Sequence, residues 1–121
     1  TDEPPTVMLC INRQSAIIRI LQGNRDLCIN TLNDSQQDVA EHFAGLTDFS
    51  PEERFEYHIW HRGQTGQLEV EGALAHLHGS IVDQREIGTH CVFFVQINEI
   101  RNTDTQAPAL LYFRRQFKSL A

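Results

Sequence analysis

Two apolar runs in the first third of the chain have the length of strands and almost no polar interruptions. They are residues 6–12 (TVMLCIN) and 27–32 (LCINTL). A strand with apolar residues on both faces needs cover on both sides, as in the middle of a packed sheet. The pattern therefore predicts two buried strands in this part of the chain.

A short helix is predicted after each of these strands. Residues 15–24 place three apolar side chains on one helical face, and Gly23 can end that helix. These side chains are Ile17, Ile20 and Leu21. In the second helix Asn33 is the expected N-cap, Gln36 its capping-box partner and Gly45 the end. The apolar stripe of this helix consists of Val39, Ala40 and Phe43.

The second half of the chain alternates like a set of antiparallel strands. The predicted strands are 73–82, 90–100 and 109–113. The stretches 83–88 and 101–108 have the composition of hairpin loops. One face of strand 90–100 is entirely apolar and consists of Cys91, Phe93, Val95 and Ile97. Because side chains alternate along a strand, His90 is expected to point away from this face.

The segment between these two regions is less regular. Residues 51–53 predict one helical turn, residues 55–60 a short strand and residues 62–67 a loop. The whole pattern amounts to about six strands and two helices, which is mainly β with short helices. This order favours an antiparallel barrel or sandwich over a doubly wound parallel sheet.

Composition narrows the class of protein. The chain has 121 residues, which predicts a single domain over 1–121. The net charge is -6 and no basic tract occurs, so general nucleic-acid binding is not expected. No apolar stretch is long enough to span a bilayer, and the first residues do not resemble a signal peptide. A core strand that begins at residue 6 predicts that preceding sequence is missing.

The cysteines indicate a reducing environment. Cys10, Cys28 and Cys91 are far apart in sequence, lie in apolar runs and form no CxxC pair. They are expected to be buried, reduced thiols, which predicts a cytoplasmic location.

Two junctions between a strand and a helix carry polar side chains. Asn12 and Ser15 follow the first strand, and Ser35 and Gln36 follow the second. Free N–H groups at a helix start favour an anion such as phosphate. The same residue types are also ordinary helix caps, so the sequence leaves both interpretations open.

Histidines and a basic cluster are the other candidates. His76 and His78 share one side of a strand and could bind a metal with His90 or Asp83, or could simply form an exposed or interface face. His90 follows Gly88, which permits close approach of a flat ligand, but it also fits a surface position.

Arg115 could pair with a phosphate while a neighbouring aromatic ring stacks on a base. The aromatic neighbours are Tyr112, Phe113 and Phe117. The alternative is a C-terminal segment that packs on the barrel with its charges in solvent. No nucleophile arrangement or carboxylate pair stands out, so any chemistry is expected to belong to a cofactor.

Four segments in order resemble a known family. They are DEPPTVMLCIN (2–12), LCINTLNDSQQDVAEHFAG (27–45), IGTHCVFFVQINEI (87–100) and LLYFRRQF (110–117). In this order and spacing they resemble the short-chain flavin reductases of two-component monooxygenases. The resemblance extends over essentially the whole chain.

The resemblance implies a fold, an activity and partners. The fold would be an antiparallel split β-barrel of the FMN-binding type, which forms a homodimer. Such proteins reduce free FMN or FAD with NADH or NADPH. The reduced flavin then passes to a separate oxygenase in aromatic catabolism.

The resemblance also implies site residues. Those expected near flavin are Cys10, Asn12, Ser15, Asn30, Leu32, Gln36, Phe43 and Ala44. Those expected on the pyridine-nucleotide side are His90, Tyr112, Arg115 and Phe117. No side chain is assigned as an acid, base, nucleophile or metal ligand.

The chain departs from the family pattern in two places. A family segment that precedes Thr1 and contacts the flavin ring is not present, and Leu68 stands where a proline is usual. Two alternatives therefore stay open: a split-barrel module that binds flavin without turnover, and a cupin-like metal enzyme that uses His76, His78 and His90.

Overall fold

The computed structural model describes residues 1–120, and its secondary structure is mainly β with short helices, as predicted. The strands are β1 (Thr6–Asn12), β2 (Asp26–Thr31), β3 (Trp60–Arg62), β4 (Leu68–Val70), β5 (Ala75–Ile87), β6 (His90–Asn102), β7 (Leu110–Phe113) and β8 (Gln116–Ser119). The helices are α1 (Ile17–Gly23) and α2 (Gln37–Phe43), with 3₁₀ turns at Asp34–Gln36 and Glu53–Phe55.

The strands form three sheets in the described part of the chain. The largest has the order β1-β6-β5-β2, and the others are the pairs β3-β4 and β7-β8. The pairings β1–β6, β3–β4 and β7–β8 are antiparallel. The described chain divides into two compact units. The first is Thr1–Ile29 with Leu77–Ile100, and the second is Asn30–His76 with residues 101–120.

The first unit is built on the apolar face of β6. Its buried cluster consists of Ile18, Leu21, Leu27, Ile81, Cys91, Phe93, Val95 and Ile97. The predicted face of β6 is therefore confirmed, and Phe93 and Val95 are completely buried. Of the predicted stripe of α1, Leu21 is buried as expected, but Ile17 and Ile20 are exposed and Ile18 is buried instead.

The two faces of β1 are not equally covered. Val7, Leu9 and Ile11 pack against the buried cluster of the first unit. Met8 is 60% exposed and Cys10 is exposed, so the expected cover on both faces is wrong for the described chain. The run appears continuously apolar because its two outward-facing positions are occupied by Met and Cys, so the sequence did not distinguish an inner from an outer face.

The second unit has a smaller core that includes one residue of α2. Val39, Val70 and Ala73 are buried there, and Leu32 and Trp60 pack against them. The predicted capping box at the start of this helical segment is confirmed: the Asn33 side chain accepts from the Ser35 N–H, and the Gln36 side chain accepts from the Asn33 N–H. Across residues 1–120 no helix is both long and apolar enough to cross a membrane.

Three local predictions were wrong, for identifiable reasons. Residues 55–59 do not form the expected strand, because a 3₁₀ turn ends at Phe55 and β3 begins only at Trp60. Strand β4 was missed because its three residues include Glu69, a buried carboxylate paired with Arg101. The predicted loop 83–88 is strand up to Ile87; its residues are mostly exposed, so a polar sequence suits it.

Gly79 in β5 is a sensitive position in the first unit. A Cβ built there would lie 2.5 Å from the carbonyl oxygen of Gln96 and 2.9 Å from a methyl carbon of Val95. Because strand backbone cannot move away cheaply, Gly79→Ala should lower the free energy of unfolding by about 1–3 kcal/mol in urea titration. Gly23→Ala is the control, since nothing lies within 4 Å of its Cβ position. Equal stability of the two variants would contradict the packing described here.

Candidate functional site

The ends of β1 and β6 place three predicted site residues on one exposed surface. In the antiparallel register Asn12 lies opposite His90 and Cys10 opposite Val92. Directly opposed residues in such a pair point to the same side of the sheet. Cys10, Asn12 and His90 therefore share the outer face of this strand pair, and all three are exposed.

The turn after β1 continues this surface. The Asn12 carbonyl accepts from the Ser15 N–H at 2.9 Å, and the Asn12 side-chain oxygen accepts from the Gln14 N–H at 2.9 Å. These bonds close a tight turn that holds the Ser15 hydroxyl near the end of β1. The structure thus brings Cys10, Asn12 and His90 onto one face and places Ser15 in the turn that follows Asn12.

Arg13 bonds the turn after β1 to the β5–β6 hairpin that carries His90. Its N–H donates to the Thr89 carbonyl at 2.9 Å, and its Nη1 donates to the Gly88 carbonyl at 3.2 Å. Its Nη2 also lies 3.7 Å from Glu86 Oε2. At the next position Thr89 Oγ1 lies 2.9 Å from His90 Nδ1. Sequence reasoning missed Arg13 and Thr89, because their roles depend on the register that pairs Asn12 with His90.

Two adjoining cavities open beside this turn. The larger, of about 610 Å³, is lined by Arg13, Ser15, Arg19 and Glu86 and reaches Cys91 on the core side of β6. The smaller, of about 510 Å³, is lined by Asn12, Arg13, Gln14, Gly88 and Thr89. Both fall in the size range of small-molecule and cofactor sites. The amide, hydroxyl and guanidinium groups on these walls can donate to the polar and anionic parts of a ligand.

The predicted residues of the second unit include two amides that are fully engaged internally. Asn30 donates to the Leu68 carbonyl at 3.1 Å and accepts from the Val70 N–H and His76 Nδ1 at 3.1 and 2.7 Å. Gln36 is buried; it accepts from the Asn33 N–H and donates to the Glu71 carbonyl at 2.9 Å. Both side chains therefore fix the local backbone.

The hairpin of β7 and β8 is bonded to the segment after β2, at Leu32 and Asp34. The Leu110 N–H donates to the Leu32 carbonyl at 3.1 Å, and Ser119 Oγ donates to Asp34 Oδ2 at 2.9 Å. Tyr112 and Phe117 are opposed in the ladder, and their ring centroids are 4.9 Å apart. Leu32 thus lies at the base of the hairpin, whose tip contains Arg115.

Phe43 and Ala44 lie at the C-terminal end of α2, away from its capping box. Phe43 is 41% exposed and meets Phe55 and Trp60 edge-on, with ring centroids 5.1 and 5.5 Å away. Phe43 thus packs in an aromatic cluster and remains partly exposed.

Two expectations from the sequence need correction. His76 and His78 do not form an exposed face, because both are buried; His76 bonds to Asn30, and His78 Nε2 lies 4.0 Å from Glu99 Oε1. Burial is confirmed for Cys91 but is wrong for Cys10, and Cys28 is half-buried. Strand alternation exposes Cys10 on the outer face of β1.

One ion pair of the second unit lies between α2 and the segment before β3. His58 Nε2 lies 2.7 Å from Asp38 Oδ2. Burial alone would raise the pKa of Asp38, but the hydrogen bond and charge of His58, with help from the Val39 N–H and the charge of His42, lower it below its ordinary 3.8. Folding therefore favours the ionised carboxylate.

This lowered pKa gives a pH-dependent prediction. Asp38→Asn should reduce the free energy of unfolding by about 0.5 kcal/mol near neutral pH, because the pair is partly exposed. The difference should disappear as the pH falls below 3.8 through the folded-state pKa, where wild-type Asp38 also loses its charge. Urea titrations at several pH values measure it. Asp104→Asn, at an exposed position, is the control and should show no such dependence.

Arg13 should control the position of the hairpin that carries His90. Arg13→Gln removes the side-chain bond to Gly88 and the ion pair to Glu86, and should reduce the free energy of unfolding by about 1 kcal/mol. The amide NMR signals of Thr89 and His90 should move. Arg19→Gln alters the same cavity wall without touching the hairpin, so it is the matched control. Equal movement of these signals in both variants would contradict the role of Arg13 in positioning the hairpin.

Comparisons with known proteins identify the family. The family model described as "Flavin reductase like domain" matches residues 1–121. The 4-hydroxyphenylacetate 3-monooxygenase reductase component of Klebsiella oxytoca is 45% identical over 117 residues, which is 97% of this chain and 68% of that protein. The protein of the same name from Pseudomonas aeruginosa is 43% identical over 120 residues, 99% of this chain and 70% of the relative.

Solved structures share the fold. A Haemophilus somnus protein described as a flavin reductase has a TM-score of 0.90 at 32% identity, with 99% of this chain and 75% of that chain covered. The NADH:FAD oxidoreductase SgcE6 of Streptomyces globisporus has a TM-score of 0.87 at 24% identity, covering 100% of this chain and 72% of that one. These matches confirm the predicted split-barrel class, and the chain belongs to the flavin reductase-like family.

Proposed function

We propose that this chain is an NAD(P)H:flavin oxidoreductase that reduces free FMN or FAD for a separate oxygenase. The observation that carries the proposal is the shared exposed face of Asn12 and His90, with a cavity lined by Asn12, Gly88 and Thr89 at its end, in a chain of the flavin reductase-like family. The relatives named as reductase components of 4-hydroxyphenylacetate 3-monooxygenase favour an aromatic monooxygenase as the recipient.

The residues of the first unit fit the polar edge of a flavin. Asn12 offers an amide and Arg13 positive charge on the wall of the smaller cavity, and Cys10 is exposed beside Asn12 on β1. Ser15 and Arg19 offer a hydroxyl and a positive charge on the wall of the larger cavity. His90 lies opposite Asn12, where it can contact a nicotinamide. Flavin supplies the redox chemistry, since hydride passes from the nicotinamide to the flavin ring. The task left to this chain is to hold two flat rings at reacting distance and to limit water.

The residues of the second unit have a different part in the proposal. Asn30 and Gln36 hold the backbone around Leu32, so they would shape a ribityl, phosphate or adenylate site without projecting into it. Phe43 and Ala44 would complete that site at the end of α2. Tyr112, Arg115 and Phe117 are assigned to the pyridine nucleotide. In this proposal Asn30 and Gln36 belong to the site because they shape its backbone, and they do not touch the ligand.

The remaining parts of the proposal concern assembly and location. We assign a homodimer in the cytoplasm, which would cover apolar outer positions such as Met8, 60% exposed in the single chain. A relative named FMN reductase (NADH) RutF, from Pseudomonas syringae, and the NADH:FAD oxidoreductase SgcE6 support use of NADH, with FMN or FAD as flavin.

The activity is tested by following NADH and NADPH oxidation at 340 nm with and without added FMN or FAD. We expect oxidation that depends on added flavin, because the protein releases its reduced product. Flavin binding without NADH oxidation would instead select a non-catalytic flavin-binding module. Absence of both would refute the proposal, and metal analysis of the same sample would then test the cupin-like alternative.

His90 gives a sharper test of the assignment within the site. His90→Ala should raise KM for NADH about tenfold, the scale of one lost contact of about 1.4 kcal/mol, and should change the Kd for flavin much less. His61→Ala is the matched control, since His61 is also an exposed strand histidine. An unchanged KM in His90→Ala would remove His90 from the nicotinamide site.

A further inference from the structure

The short connection between β5 and β6 is held at both of its residues. Gly88 and Thr89 join Ile87, the last residue of β5, to His90, the first residue of β6. Gly88 has a positive φ of 58° and Thr89 does not, which is the pattern of a type II′ hairpin turn. The Thr89 carbonyl accepts from the Arg13 N–H at 2.9 Å, and the Gly88 carbonyl accepts from Arg13 Nη1 at 3.2 Å. The backbone that carries the Thr89 side chain is therefore fixed.

The hydroxyl of Thr89 lies against the ring of His90. Thr89 Oγ1 is 2.9 Å from His90 Nδ1, which is within hydrogen-bond distance. Because threonine is β-branched, its χ1 angle is restricted, and the hydroxyl keeps few directions once the backbone is fixed. The bond that Nδ1 makes decides which ring nitrogen of a neutral imidazole carries the proton. Thr89 is thus placed to select the tautomer of His90.

The side chain opposite His90 has its polarity set by a local bond. Asn12 and His90 are directly opposed in the β1–β6 register. The next pair, Arg13 with Thr89, is hydrogen-bonded through the backbone, so Asn12 and His90 form a non-hydrogen-bonded pair, in which side chains lie closest. Asn12 Oδ1 accepts from the Gln14 N–H at 2.9 Å. The amide nitrogen of Asn12, which is a donor, is the group left for a ligand.

We propose that Thr89 is a positioning residue whose hydroxyl donates to His90 Nδ1 and fixes the neutral imidazole with its proton on Nε2. His90 then presents a donor beside the donor of Asn12, and the pair selects ligand groups that accept, such as carbonyl oxygens. This inference rests on the proposed function, which supplies the nicotinamide. The carboxamide of that ring would be bound through its oxygen and not through its N–H₂ group. Thr89 touches no ligand and acts through His90.

The tautomer is measured directly, without any ligand. Proton–nitrogen NMR correlations of ¹⁵N-labelled histidine separate protonated from unprotonated ring nitrogens, at an alkaline pH where histidine is neutral. We expect the His90 proton on Nε2 in the wild type. Thr89→Val keeps the β-branched shape without the hydroxyl and should raise the population with the proton on Nδ1, whereas Thr89→Ser should keep the wild-type form. The control is Thr65→Val, at an exposed threonine of the second unit.

Two of these results would overturn the role of Thr89. One is a wild-type His90 with its proton on Nδ1. The other is a Thr89→Val variant with the same tautomer populations as the wild type. The His90 signals are assigned by their loss in His90→Gln, and urea titration of Thr89→Val should show a free energy of unfolding like that of the wild type, so that a changed tautomer is not a sign of a damaged fold.

Analogues of NAD⁺ test the polarity of the face. The 3-acetylpyridine analogue keeps the carbonyl oxygen and loses the N–H₂ group, and the thionicotinamide analogue has sulfur, a weak acceptor, in place of the oxygen. By calorimetry without turnover we expect the acetylpyridine analogue to bind within about twofold of NAD⁺ and the thionicotinamide analogue to bind about threefold more weakly. In Thr89→Val the Kd for NAD⁺ should rise about threefold and the gap to the thionicotinamide analogue should narrow. The opposite order of the two analogues in the wild type would overturn binding through oxygen.

These results can be told apart from failure of the proposed function itself. A chain in which Thr89 sets the tautomer of His90, but which neither binds NAD⁺ nor oxidises NADH, would support the positioning role and refute the oxidoreductase. If both hold, Thr89→Val should raise KM for NADH about threefold and leave kcat unchanged, because the lost contact is made equally in the ground state and the transition state. Flavin-dependent NADH oxidation with an unchanged KM in Thr89→Val would support the oxidoreductase and refute the positioning role.

Discussion

The pairing of β1 with β6 is the constraint on which the candidate site depends. Strand β6 must bury Cys91, Phe93, Val95 and Ile97 to form the core of the first unit. Alternation then requires His90 to face outward. The register that pairs His90 with Asn12 places both residues on one surface and brings the turn at Arg13 onto the hairpin at Gly88 and Thr89. Because β6 keeps its apolar face in the core, a slip of one residue would turn Val7, Leu9 and Ile11 of β1 outward and would turn Asn12 away from the face of His90.

The two units illustrate two uses of polar side chains. In the first unit Asn12, Ser15 and His90 remain at the surface, where a ligand can reach them. In the second unit Asn30 and Gln36 satisfy backbone groups that would otherwise be buried without partners. Loss of such partners carries the full desolvation penalty of the orphaned groups. Family resemblance does not separate these two kinds of residue, whereas the hydrogen-bond partners do.

The sequence predicted what depends on regular alternation and missed what depends on pairing. The inner face of β6, the outward direction of His90 and the capping box at Asn33 all follow from local periodicity or spacing. The exposure of Cys10 does not, because a continuous apolar run carries no sign of which face is covered. Other features depend on partners far away in sequence. They are the burial of His76 and His78, the short strand around Glu69 and the bonds from Arg13 to the hairpin. The split-barrel assignment came from resemblance and was confirmed by the structural matches.

The central claim is that the outer face of β1 and β6 binds flavin and nicotinamide. It is tested most directly by following the backbone amide signals of the chain during separate titrations with FMN and NAD⁺. We expect FMN to shift the signals of Asn12 and Ser15 and NAD⁺ to shift the signal of His90. Signals of these three residues that stay fixed, while others move on saturation with either ligand, would contradict it.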